Sequence, residues 1–339
     1  MILQQLSEAY GPSGDEGPVR ELIAEEVRPH VEVLKVDSMG NLIAAKGLAS
    51  SRPPVMVCAH MDEVALMVSW IEENGLLRFK KVGGIDDRIL LSRAVKVGRK
   101  GVHGVIGAKP IHLQRPAERK SVVQSTDMFI DIGATDRSEA EKVVEPGDYA
   151  LFDTRFEVTG DGMLKGKALD DRVGCAILCE VLKGDYSFPL YAVFTVQEEL
   201  GLRGATVAAY SISPALGLVL EGTTCADIPG TEEPRWATRL GGGPALSVMD
   251  RASIANKDML RRLREVAERE KIPYQFRRTT ASGNDAGPVS LTREGVPTAT
   301  VSVPCRYIHS AASMASRSDF ENTVNLVSAF LADLSQRGY

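Results

Sequence analysis

The sequence predicts an α/β protein: a mixed, largely parallel sheet sandwiched by helices, interrupted by a small β-rich insert. Three observations carry this. Apolar, β-branched runs such as "PVMVCAH", "YAVFTV", "ALGLVLEG" and "TATVSVP" read as strands buried on both faces. Amphipathic stretches alternate with them, the pattern of a sheet covered by helices on both sides. More than a hundred residues then separate the strand at 55–60 from the helix near 170, far beyond an ordinary strand-to-helix link.

Taken in order, "GPVRELIAEEVRPHV" spaces Val19, Leu22, Ile23 and Val27 at helical intervals. "PVMVCAHMDEV" follows as a buried strand. The long stretch after it is itself patterned. "RAVKVG", "GVHGVIGAK", "MFIDIG" and "YALFDT" are strand-like pieces broken by Gly, Asp and Arg/Lys turns. They define an inserted, barrel-like domain at 66–160 within an α/β domain made of 1–65 and 161–339. "DDRVGCAILCEVLK" reads as a helix behind an Asp cap. "YAVFTVQEE" is a strand, "GATVAAYSI" a helix and "ALGLVLEG" a third strand. "NKDMLRRLREVAEREKI" is a helix with Leu260, Leu263 and Ala267 on one face. "TATVSVPCRYIHS" is the fourth strand, and "FENTVNLVSAFLADLSQ" a helix with Phe320, Val324, Val327, Leu331 and Leu334 in register.

The 40 Lys and Arg against 45 Asp and Glu leave a net charge of −5. No basic stripe points to nucleic acid or a membrane surface. The first residues carry no basic segment ahead of an apolar one, and no apolar stretch nears the roughly 20 residues that span a bilayer. A cytoplasmic protein is expected. The cysteines at 58, 175, 179, 225 and 305 form no C-x-x-C pair, so free thiols are expected, with Cys175 and Cys179 buried as small apolar residues. "LGGGPALSVMD" lacks the strand-before, helix-after context of a phosphate loop and reads as a tight turn. His103 and His112 are expected to be structural or interfacial. Arg306 and Tyr307 are candidates for contact with substrate or a neighbouring subunit.

In open α/β sheets, functional groups collect at the carboxyl ends of the strands. Here each core strand delivers a polar residue there: His60 with Asp62 close behind, Glu198-Glu199, Glu221, and His309. Asp170-Asp171 opens the helix after the insert at the same edge. Histidine and carboxylate without cysteine suit zinc, cobalt or manganese. Five candidate ligands exceed the roughly three that one catalytic zinc takes from protein. Two ions about 3.5–4 Å apart, bridged by one carboxylate, absorb the surplus. One glutamate of the pair can then hold metal while its neighbour serves as a base.

Six segments, in order, carry a resemblance: "AHMDEV", "ALDDRVGC", "QEELGLRGA", "LEGTTCADIPG", "NDAGPVSLTREGVPT" and "RYIHS". With the insert ("GVIGAKPIHL", "MFIDIGA", "EPGDYALFDT") they resemble the tetrahedral, dinuclear metal aminopeptidases of the glutamyl/leucyl group, sometimes labelled cellulase or endoglucanase. The resemblance implies a zinc-peptidase-like sheet. It implies that His60, Asp170 and Glu221 hold one ion, and that Asp170 bridges to a second held by Glu199 and His309. Glu198 would be the general base, with Asp62 orienting His60 through its other ring nitrogen. Hydroxide formed at the metal pair would attack the peptide carbonyl, Glu198 taking the proton and returning it to the leaving amine. The substrates implied are short peptides, and the assembly a homododecamer of dimers joined through the insert. There are departures. Ala65 stands where the family has Gly, "SGNDA" (282–286) replaces "GGTDA", and Glu221 is often Asp in relatives.

Three other functions compete. A metal-dependent deacylase of small N-acyl amino acids would use the same site, with its insert later in the chain. A glycosidase needs two carboxylates about 5–10 Å apart. Glu198 and Glu199 cannot fill that role, because adjacent residues on a strand face opposite ways. A non-catalytic assembly protein would have no need of a complete ligand set.

Overall fold

The computed structural model describes residues 2–339. Eleven strands form one mixed sheet. Four parallel strands lie at its centre, in the order Leu190–Thr195, Val55–His60, Leu216–Thr224 and Thr298–Arg306. Antiparallel strands extend both flanks: Leu42–Lys46 and Val33–Val36 on one side, Ser313–Ser316, Met163–Gly166 and Glu157–Thr159 on the other. The central runs are continuous in apolar residues because both of their faces are covered. Val55, Val57 and Ala59 pack into a large core with the helices Gly17–Val27, Leu169–Val181, Lys257–Arg269 and Arg317–Arg337. The alternate residues Met56 and Cys58 pack the other way, against the helices Arg203–Ile212 and Ala286–Ser290. Parallel pairing aligns the strands' carboxyl ends, which sets Thr195 opposite His60 and Glu221 opposite Ser302.

Six further strands close an antiparallel barrel: Ala65–Ile71, Leu77–Val82, Ala94–Val97, Val102–Ala108, Met128–Asp131 and Tyr149–Phe152. It has its own core, with Leu66, Phe79, Val95, Ile106 and Ile130 inside. The first two strands were not read from the sequence. "ALMVSWI" loses its period of two at a bulge between Val68 and Trp70, and "LRFKKV" exposes Lys80 and Lys81.

Two helices differ in detail from expectation. Met259 and Val266 join Leu263 and Ala267 inside, while Leu260 is half-buried; Val324 is half-buried beside Phe320, Val327, Leu331 and Leu334. All five cysteines are free and buried. Among the described residues no helix is long and apolar enough to cross a membrane.

Candidate metal centre

His60 is the last residue of its central strand and is almost fully buried. Its Nδ1 lies 3.1 Å from the main-chain oxygen of Asp62 and 3.4 Å from Asp62 Oδ1. That contact turns Nε2 into the cavity, 3.5 Å from Asp170 Oδ1 and 3.7 Å from Glu221 Oε2.

The two aspartates opening the helix divide the work. Asp171 accepts the N–H of Gly174 at 3.0 Å, capping the helix as expected, and the N–H of His60 at 3.2 Å. Both of its oxygens are committed. Asp170, joined to it by a cis peptide, faces the cavity instead. Its Oδ2 lies 3.4 Å from His309 Nε2, so this one carboxylate stands between both imidazoles. Glu199 Oε1 lies 3.1 Å from the same His309 nitrogen. His309 sits past the end of its strand in the left-handed region (φ 56°), and its Nδ1 is 2.9 Å from the main-chain oxygen of Gly84, in the loop after barrel strand Leu77–Val82.

Glu198 and Glu199 correct the strand argument. Their strand stops at Thr195, and Gln197 turns the chain with φ 56°. The pair lies in a turn where the alternation of strand faces no longer applies, and both side chains line one cavity. Asp62 holds that turn. Its Oδ1 accepts the Glu198 N–H at 3.0 Å, and its Oδ2 accepts the Glu199 N–H at 3.2 Å and the Ser13 hydroxyl at 2.6 Å. Glu16 Oε1 accepts the Gln197 N–H at 3.2 Å. Asp62 therefore touches His60 chiefly through its main chain and spends its carboxylate on the glutamate turn. Ser13, Glu16 and Gly84 were not singled out from the sequence; "GPSGDEG" was the available signal for the first two.

The electrostatics ask for a cation. Burial pushes the Glu198 and Glu221 carboxyls well above their usual range, against the pull of His60. Burial opposes charge on His309 too, but Asp170 and Glu199 outweigh it and push its pKa up to about 11. Asp170 Oδ1 and Glu221 Oε1 are buried without any hydrogen-bond partner. Ligand atoms within 4.8 Å of one another occur in the sets His60–Glu198–Glu199, His60–Asp171–Glu221 and Asp170–Glu199–His309. In the second set Asp171 is tied to main-chain donors, which leaves Asp170 as the free carboxylate beside His60. Buried carboxylates with unpartnered oxygens, set beside imidazole nitrogens, are donors that suit a hard-to-borderline divalent ion.

The cavity is about 600 Å³ and also takes in Thr223, Arg251, Arg277, Ser282 and Asn284. Arg306 is not part of it. Its guanidinium grips Asp227 at 2.8 and 2.7 Å, while Tyr307 beside it is exposed. His103 is exposed on the barrel, 3.3 Å from Asp153, and His112 is exposed as well.

The mixed sheet thus carries an acidic, histidine-bearing cavity at the carboxyl edge of its parallel strands. The sequence model of the family described as M42 glutamyl aminopeptidase matches residues 40–326. The chain belongs to that family and is a peptide hydrolase of the aminopeptidase type. It is 40% identical over 333 residues to a putative aminopeptidase of Acetivibrio thermocellus, covering 96% of each chain. It superposes on a TET aminopeptidase from a marine sediment thaumarchaeon with a TM-score of 0.96 and 36% identity, covering 99% of this chain and 96% of that one. It is also similar to the Pyrococcus horikoshii TET1 peptidase, described as assembling into a tetrahedron or a large octahedral shell. There the TM-score is 0.87 and the identity 35%, over 97% of this chain and 98% of that one.

Proposed function

We propose that this protein is a metal-dependent aminopeptidase that removes N-terminal residues from short peptides. The observation that carries the reading is a pair of buried carboxylates beside the His60 imidazole, Asp170 and Glu221, each with one oxygen (Oδ1 and Oε1) that has no hydrogen-bond partner. His60, Asp170 and Glu221 would hold one divalent ion, and Asp170, Glu199 and His309 a second. Zinc, cobalt and manganese all suit these donors. Such ions, when bound, polarise the scissile carbonyl and bring the pKa of a water from ~15.7 toward ~7.

The chain's own residues do the rest. Glu198 is the one cavity glutamate that this ligand set leaves free, and its carboxylate takes a proton from the attacking water and delivers it to the leaving nitrogen. Asp62 positions that carboxylate through the main-chain N–H groups of the turn, with Ser13 fixing Asp62 in place. The acidic lining gives the substrate's free α-ammonium a partner, which restricts cleavage to the first residue.

We assign the barrel, whose strands run from Ala65 to Phe152, to self-association. The assembly proposed is a homododecamer built from dimers, supported by the shell-forming relative. A cytoplasmic location agrees with five free thiols.

Elemental analysis should find up to two divalent ions per chain, and chelation should abolish peptidase activity reversibly. An active preparation without metal sinks the proposal. Light scattering on metal-loaded protein should show a particle far larger than a monomer; monomer alone at micromolar concentration refutes the assembly.

A further inference from the structure

Among the described residues the buried lysine and arginine side chains are matched with carboxylates, with one exception inside the cavity. Lys167 and Arg172 share Glu63 at 2.6 and 3.2 Å. Arg277, at the end of the strand Gln275–Arg277, is only 7% exposed and lines the cavity, yet it forms no ion pair among the described residues. Its Nε donates to Thr223 Oγ1 at 2.9 Å, its Nη1 to the main-chain oxygen of Thr279 at 2.8 Å, and its Nη2 to Ser282 Oγ. All three acceptors are neutral. Three of five N–H groups are used, and one on each terminal nitrogen remains.

A buried guanidinium with no carboxylate at ion-pair distance is unfavourable, and Asp250, Glu221 and Asp170 act on Arg277 only from farther away. Its fork matches a carboxylate with two parallel hydrogen bonds, a geometry that an ammonium cannot copy. Its position fits a substrate group. Thr223, which anchors Nε, lies two residues beyond Glu221 on the same strand, roughly 6–7 Å along it. Arg251, exposed and in no ion pair among the described residues, adds a second positive charge to the same lining.

We propose that Arg277 is a specificity-determining residue that receives a carboxylate of the peptide substrate, with Arg251 steering it from the rim. This rests on the aminopeptidase reading. The carboxylate has two possible sources: the side chain of an N-terminal Asp or Glu, or the terminal carboxylate of a dipeptide.

The test compares kcat/KM ratios in the full-length, metal-loaded protein. One ratio is glutamyl over leucyl p-nitroanilide, and the other is Leu-Gly over Leu-Gly-amide. In Arg277→Gln, one of these ratios should fall on the order of 10²-fold. A fall in the first assigns the side chain, and a fall in the second the terminal carboxylate. Arg277→Lys, which keeps the charge but loses the fork, should fall less. Arg251→Gln alters an exposed side chain and should lower the same ratio by a smaller factor, whatever becomes of folding in the Arg277 variants. Equal losses on every substrate would overturn the proposal, placing Arg277 in structure or at the reacting carbonyl. So would unchanged ratios in all three variants. Calorimetric titration with free L-glutamate and L-leucine separates this from the underlying reading. A protein inert on every aminoacyl substrate, but binding L-glutamate through Arg277, would remove the peptidase and leave the carboxylate site standing.

Discussion

His60 and His309 present the same ring nitrogen to the same carboxylate, Asp170, but the molecule builds them differently. His60 closes a central strand, its side chain is 2% exposed, and its Nδ1 is held by the residue two places on. His309 lies in a left-handed turn, its side chain is 34% exposed, and its Nδ1 is held by Gly84 from the barrel. The inner half of the centre follows from the register of one sheet. The outer half exists only if a second body is docked correctly. In the proposed metal centre, affinity at the outer half would thus be tied to packing that the sheet does not control.

The largest expected effect lies between the two halves. Glu198→Gln keeps shape but removes the proton acceptor, so kcat should fall on the order of 10²–10⁴-fold with metal content and assembly intact. Glu199→Gln replaces an anionic ligand with a neutral one, and should lose outer metal with activity recoverable in excess ion. The opposite pattern would exchange their roles. The histidines sharpen the contrast. His60→Ala and His309→Ala should each cost one ion by elemental analysis. In metal-free protein His60→Ala should also lower Tm by several degrees, because it opens a void under a buried strand end. Equal Tm losses would mean the two halves are built alike. The smallest change tests the barrel's part alone. A Cβ at Gly84 would stand 3.3 Å from His309 Nδ1. Gly84→Ala should therefore weaken outer-ion affinity by ~10–100-fold while the inner ion stays. If titration shows both ions weakened together, the halves are coupled more tightly than the geometry implies.

What could be read from the sequence follows the same divide. Apolar runs locate the ends of parallel strands, so His60 and Glu221 were legible as members of one sheet rim. The facing of Glu198 and Glu199 was not, because neither Gly nor Pro marks the turn at Gln197. Gly84 and Ser13 act on residues far away in the chain, and no local periodicity encodes such contacts. Arg277 lies in "YQFRR", which reads as a solvated charge pair until folding shows that Arg277 is buried and Arg278 exposed.

The order of the ligands along the chain gives the centre a history. His60 leaves the ribosome before the barrel, Asp170 after it, then the glutamates, and His309 last of all. Until residue 309 has emerged and the barrel has closed, the nascent chain offers an acidic pocket short of one imidazole and of the Gly84 support. In the proposed centre the inner ion's ligands, His60, Asp170 and Glu221, would all be out by residue 221, whereas the outer ion's site would be complete only once His309 has emerged and the barrel has closed beside it.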